Sequence, residues 1–181
     1  MKPCLLLLLL LSLLDTSCRK HKPLVAQLPP ATQEGRGTFG FLVDGQVFKP
    51  KGSSFGGPIL SCVYQFHKRG YYFQLAAQNQ STILRGVSIH TDSMYIEEGR
   101  IFKIEDYYKK GGASGRYSTY DNNSGMFTEY MTTQIKNGEL KISKLDTINR
   151  IVSGTFWFDA VNKEGQKVQV REGRFDLKYS L

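Results

Sequence analysis

Residues 152–160 read Val-Ser-Gly-Thr-Phe-Trp-Phe-Asp-Ala, which places Val152, Gly154, Phe156, Phe158 and Ala160 on one side of an extended chain. Ser153, Thr155 and Asp159 fall on the other, with Trp157 among them. A repeat of two is the mark of a strand with one buried face, whereas an amphipathic helix needs apolar residues three and four apart. Val168, Val170, Phe175, Leu177 and Tyr179 continue the inward set across an interruption at Glu172-Gly173. The same short period runs from Gly37 onward, and no helix of useful length is predicted.

Turn residues set the strand boundaries. Thr38 to Val43 and Gln46 to Lys49 flank Asp44-Gly45, a dipeptide that supplies the positive φ angles of a two-residue hairpin. Ile59 to His67 and Tyr71 to Gln78 flank Lys68-Arg69-Gly70 as a second hairpin, and Ile83 to His90 and Ile101 to Glu105 are further strands. Arg116 to Asp121 is a weaker strand. Met126 to Lys136 and Glu139 to Lys144 flank Asn137-Gly138, the strongest short hairpin signal in the chain. About ten antiparallel strands without crossover helices predict an all-β domain, either a barrel or a β-sandwich. Gly40, Gly86 and Gly154, inside strands, favour the bent strands of a barrel.

The first residues carry an address. Lys2 precedes a run from Leu5 to Leu14 with nine leucines in ten positions, interrupted by Ser12. A membrane-spanning helix needs about 20 apolar residues and a signal-peptide core roughly 7 to 15, so residues 1–17 are expected to be a removed export signal. Leu14-Asp15-Thr16-Ser17-Cys18 resembles a lipobox, with Asp15 where an aliphatic residue is usual; Cys18 is then the site of lipid attachment. Residues 18–36, with Arg19-Lys20-His21-Lys22 and Pro23, Pro29 and Pro30, read as a tether reaching about 25 Å. Residues 37–181 form the single β domain.

The leader cysteine, the Gly154-Thr155-Phe156 strand, the turn at Asn162 to Gly165, and Val168, Val170, Gly173 and Phe175 together resemble a family of small lipoproteins of unknown function from Bacteroidetes. The resemblance implies export and a β-fold, and it carries no catalytic residue. It places the chain in the cell envelope, and the basic residues after Cys18 resemble those of lipoproteins held at the outer membrane facing the periplasm.

A net charge of +8 would ordinarily suggest nucleic acid. Export removes that partner, and outside the tether the charges alternate in sign, as at Lys163-Glu164 and Arg171-Glu172. Cys62 shares a strand face with Leu60, Tyr64 and Phe66 and reads as core, away from His67. Ser88 and His90 share a face but stand about 7 Å apart, beyond a nucleophile-to-base hydrogen bond. No zinc spacing links His21, His67 and His90. Asp121-Asn122-Asn123-Ser124-Gly125 lacks the glycine and glutamate of a calcium loop, with Met126 and Thr132 in their places, and is expected to be an Asx-capped turn. No metal or cofactor is expected.

Glu105 to Tyr120 is the segment expected to bind a ligand. Tyr107, Tyr108, Tyr117 and Tyr120 surround Lys109-Lys110-Gly111-Gly112-Ala113-Ser114-Gly115. Tyrosine combines apolar area, a hydroxyl and few rotamers, and flexible loops on rigid scaffolds often carry function. The leading expectation is a non-enzymatic, membrane-tethered β domain that binds a glycan, a lipid-like ligand or an envelope protein, with Lys109 and Lys110 meeting any anionic group. The alternatives are an envelope hydrolase acting on glycan or lipid, and a purely structural interaction protein.

Overall fold

The computed structural model describes residues 23–53, 57–68, 70–107 and 109–181. The export leader, Cys18 and Tyr108 lie outside the described residues. Eleven strands are present among those described: β1 (Thr38–Val43), β2 (Gln46–Phe48), β3 (Leu60–His67), β4 (Gly70–Gln80), β5 (Ile83–Thr91), β6 (Ile101–Glu105), β7 (Ala113–Asp121), β8 (Phe127–Met131), β9 (Gly138–Asp146), β10 (Ile151–Val161) and β11 (Lys167–Lys178). Among the described residues one helical turn is present, Leu24–Gln27, of the 3-10 type. The chain is all-β.

All eleven strands belong to one sheet, in the order β2-β1-β11-β10-β9-β6-β7-β5-β4-β3, with β8 paired to both β7 and β10. Tyr64 N–H donates to the Ser180 carbonyl at 2.9 Å and Ser180 N–H to the Cys62 carbonyl at 3.0 Å, so β3 is tied to the chain end beyond β11. The sheet thereby closes part of the way into a ring, compatible with barrel and sandwich alike.

The hairpin at Asp44-Gly45 has φ of 47° and 75°, as a turn of that kind requires. At the second hairpin His67 faces Gly70, with Lys68 at φ 54°. Two expectations are corrected. Asn137-Gly138 is not a hairpin tip: β8 pairs with β7 and β9 pairs with β6 and β10. Gly138 is buried at the start of β9, packed against the Trp157 carbonyl and Phe158, where any side chain would collide. Nor is every pair antiparallel. β6 and β7 run parallel where Ile104 and Glu105 meet Ala113 and Ser114. The overlap is so short that loop 106–112 suffices, without the crossover a longer parallel pair demands.

Inward-facing residues from every wall form one core, including Phe41, Phe48, Phe73, Phe158, Leu140 and Ile142, all fully buried. Cys62 sits within it, and burial pushes its thiol up to about 12. The break at Glu172-Gly173 is a β-bulge: Phe156 faces Gly173 and Phe158 faces Val170, leaving one extra residue on β11, with Glu172 at φ 54°.

Residues 28–36, expected as tether, are fastened to the domain. Leu28 is buried. The fully buried Asp176 carboxylate accepts from Thr32 Oγ1 at 2.6 Å, from the Glu34, Gly35 and Arg36 amides, and from Ser153 Oγ at 2.7 Å.

Candidate functional site

The tyrosine segment is divided by the parity of β7. Ala113-Ser114-Gly115, expected to be part of a flexible loop, begins that strand, and a Cβ added at Gly115 would come within 3.0 Å of the Phe158 ring. Ala113, Gly115 and Tyr117 point inward and are buried. Tyr120 points outward, opposite Phe127 of β8. Tyr107 lies in loop 106–112, its amide donating to the Thr132 carbonyl at 3.3 Å and its ring set edge-on to His90 with centroids 4.8 Å apart.

Its neighbours diverge as well. Lys109 Nζ pairs with Glu105 Oε2 and Lys103 Nζ with Glu105 Oε1, both at 2.6 Å. Those two ammonium groups hold the Glu105 carboxyl at about 2. Lys110 borders a separate hollow with Lys68, Tyr72, Asp92 and Ser93. The structure therefore does not gather Tyr107, Tyr117, Tyr120, Lys109 and Lys110 around one ligand position, and Tyr108 lies outside the described residues. Sequence spacing missed this because alternate residues of one strand serve opposite faces of the sheet.

Two concavities flank β8 instead. This strand meets β10 through a single pair, Met131 with Val161, so the sheet is open between β8 and the β10–β11 turn. Outside lies a groove of about 800 Å³. Tyr107, Met126, Phe127, Met131 and Val161 supply its apolar surface, and Glu129, Asn162, Lys163 and Glu164 its polar border. Met126 is 64% exposed and Phe127 59%, and together with Tyr107, Met131 and Val161 they make the apolar surface of the groove contiguous.

Inside β8, at the ring's end, is a pocket of about 440 Å³ lined by Val43, Ile83, Arg85, Tyr117, Tyr130 and Val168 among others. Tyr117 faces Tyr130 across the strands with ring centroids 6.2 Å apart. Burial pushes the Tyr117 hydroxyl up to about 12, against the opposing pull of the neighbouring Arg85 guanidinium. Arg85, Tyr130, Met126 and Phe127 had no local motif; their only signal was the strand parity that Tyr117 also obeys.

A cross-strand pair also escaped the sequence. Ser114 Oγ lies 3.0 Å from His90 Nε2, because β5 and β7 set these residues opposite one another. Burial, aided by Arg116, lowers the His90 pKa, so its imidazole is neutral and can accept a hydroxyl proton. Ser114 is only 3% exposed, however, with Tyr107 against the histidine. Among the described residues no carboxylate hydrogen-bonds His90 to orient it, as the third group of a nucleophilic triad would. Asp121 caps its turn as expected, accepting from the Asn123 amide at 2.9 Å and Ser124 Oγ at 3.0 Å.

The class these features define is an all-β protein with concave surfaces on both sides of one short strand. Residues 87–176, from within β5 to within β11, match the family described as "Domain of unknown function (DUF6252)". No curated protein and no solved structure matches the chain.

Proposed function

We propose that the chain is an envelope lipoprotein, acylated at Cys18 and held at the outer membrane facing the periplasm, whose β domain binds an amphipathic glycan or lipid-like ligand without catalysing a reaction. The observation that carries the binding reading is the groove beside β8, where Tyr107 joins the exposed Met126 and Phe127. Its volume falls in the range of small-molecule sites, and its composition, apolar with a polar border, suits a ligand of mixed character. The leader and the resemblance to small lipoproteins support the tether. A docked segment at residues 28–36 leaves the chain from Cys18 to Gln27 to span the headgroups.

Metabolic labelling with palmitate tests the anchor: wild type incorporates label and Cys18→Ala does not. Screening the Cys18→Ala chain against envelope glycans and phospholipids tests binding, with Phe127→Ser expected to weaken any ligand found by tenfold or more.

The hydrolase reading draws on the Ser114–His90 contact alone. Turnover of p-nitrophenyl esters that is abolished in Ser114→Ala would favour it over the binding reading.

A further inference from the structure

We propose that the Leu24–Gln27 turn and Lys49–Lys51 form a membrane-contact face that lies against an anionic phospholipid surface. The inference rests on the lipoprotein reading for the reach of the chain, and the contact itself is tested without the anchor.

No Asp or Glu occurs between Thr16 and Gln33 or between Gly45 and Thr91. The first stretch carries Arg19, Lys20 and Lys22, and the second Lys49, Lys51, Lys68, Arg69 and Arg85. In the rest of the chain Lys and Arg equal Asp and Glu in number, so the whole net charge of +8 belongs to these two stretches. Alternation of sign holds only outside them.

The fold brings the two stretches together. Leu28, Pro29 and the Phe48 carbonyl meet over Gly40, and the Leu24–Gln27 turn touches β2. Directly after β2, the Lys49 carbonyl accepts from Asn79 Nδ2 at 2.8 Å. Lys51 is bound to β4, its amide donating to the Gln78 carbonyl at 3.1 Å and its carbonyl accepting from the Gln80 amide at 2.7 Å. Both lysines are thus held by their backbones, and their exposed side chains pair with no carboxylate among the described residues. Leu24 and Val25 of the turn are exposed as well. Further along the wall, the outward Gln65, Gln74 and Gln78 of β3 and β4 are uncharged.

Reach selects the bilayer as the occupant. Five residue steps separate Cys18 from Pro23, at most about 18 Å of chain. A headgroup layer of roughly 6 Å takes up part of that length. Pro23 is then held little more than a Debye length, about 8 Å, from the surface. At that range each Lys or Arg strengthens attachment to anionic lipid about fivefold. Leu24 and Val25 supply the apolar contact that seats an interfacial segment.

Vesicle sedimentation tests this with the chain from residue 18 carrying Cys18→Ala, since the leucine run of the leader would bind lipid on its own. Vesicles of phosphatidylglycerol and phosphatidylcholine in equal parts bind it at least tenfold more tightly than phosphatidylcholine alone, and molar salt removes the difference. Lys49→Gln combined with Lys51→Gln weakens binding at least tenfold at an unchanged melting temperature. Lys141→Gln with Lys144→Gln on β9, and Tyr107→Ala at the groove, leave it intact. An environment-sensitive dye on Val25→Cys shifts to the blue on the mixed vesicles, whereas one on Lys141→Cys does not. Equal binding to both vesicles, or indifference to the paired Lys49 and Lys51 changes, overturns the proposal. Binding lost in Tyr107→Ala but kept in the Lys49 and Lys51 variant also overturns it and assigns the lipid to the groove. The predicted vesicle binding by a chain that takes up no palmitate at Cys18 in cells supports the contact face and overturns the anchor alone.

Discussion

Phe156 of β10 lies over Gly173 of β11: the two are register partners, and a Cβ at Gly173 would come within 2.6 Å of the phenyl ring. Two positions along, the roles reverse, with Gly154 facing Phe175 and a Cβ there lying 2.8 Å from that ring. Each glycine leaves room for the ring across from it, so the aromatic core closes onto backbone on both strands. Phe39 stacks on Phe156 with centroids 5.7 Å apart, carrying the packing to β1.

Gly173→Ala should therefore destabilise the domain by about 2 kcal/mol through overpacking. Phe156→Ala, which empties a fully enclosed site, should cost about 3 to 5 kcal/mol. Urea unfolding checks both, and a cost below about 1 kcal/mol for Phe156→Ala would contradict this packing.

The last third of the chain was legible because alternation and burial agree there residue by residue, and Asp44-Gly45 was legible because a two-residue turn is a local matter. Asn137-Gly138 misled for a physical reason. Its glycine serves close approach to the Trp157 carbonyl, a contact across β9 and β10 that no local pattern announces. Gly115, read as part of a flexible loop, is likewise a packing glycine beneath Phe158. In the candidate site Tyr107 was found from composition. Arg85 and the exposed pair Met126 and Phe127 were not, since they become a site only when β5, β7, β8 and the β10–β11 turn are brought together.

Asp176 predicts an acid-sensitive fastening. Burial alone would raise its carboxyl, but the hydroxyls of Thr32 and Ser153 and the amides of Glu34 and Gly35 outweigh it and hold the group at about 2. Because the folded value lies below the unfolded one of about 3.9, the group contributes roughly 2.5 kcal/mol that is fully present above about pH 4 and lost as pH falls through 2. Asp176→Asn should be less stable than wild type at pH 7, with the difference shrinking toward pH 2. A gap that is constant with pH would contradict the assignment.

Cys62 should be inert while the domain is folded, since burial holds its thiol at about 12. In the Cys18→Ala chain, thiol-specific reagents should label Cys62 at the rate of global unfolding. Labelling as fast in native buffer as in urea would place the thiol at the surface.

The most direct test of the binding account is the affinity of Tyr107→Ala, compared with wild type, for a glycan or lipid found with the Cys18→Ala chain. The account predicts a loss of at least tenfold, about 1.4 kcal/mol or more, with the melting temperature unchanged. Unchanged affinity, or a lowered melting temperature with no loss of binding, would show that Tyr107 only covers His90 and that the groove beside β8 is not the ligand site.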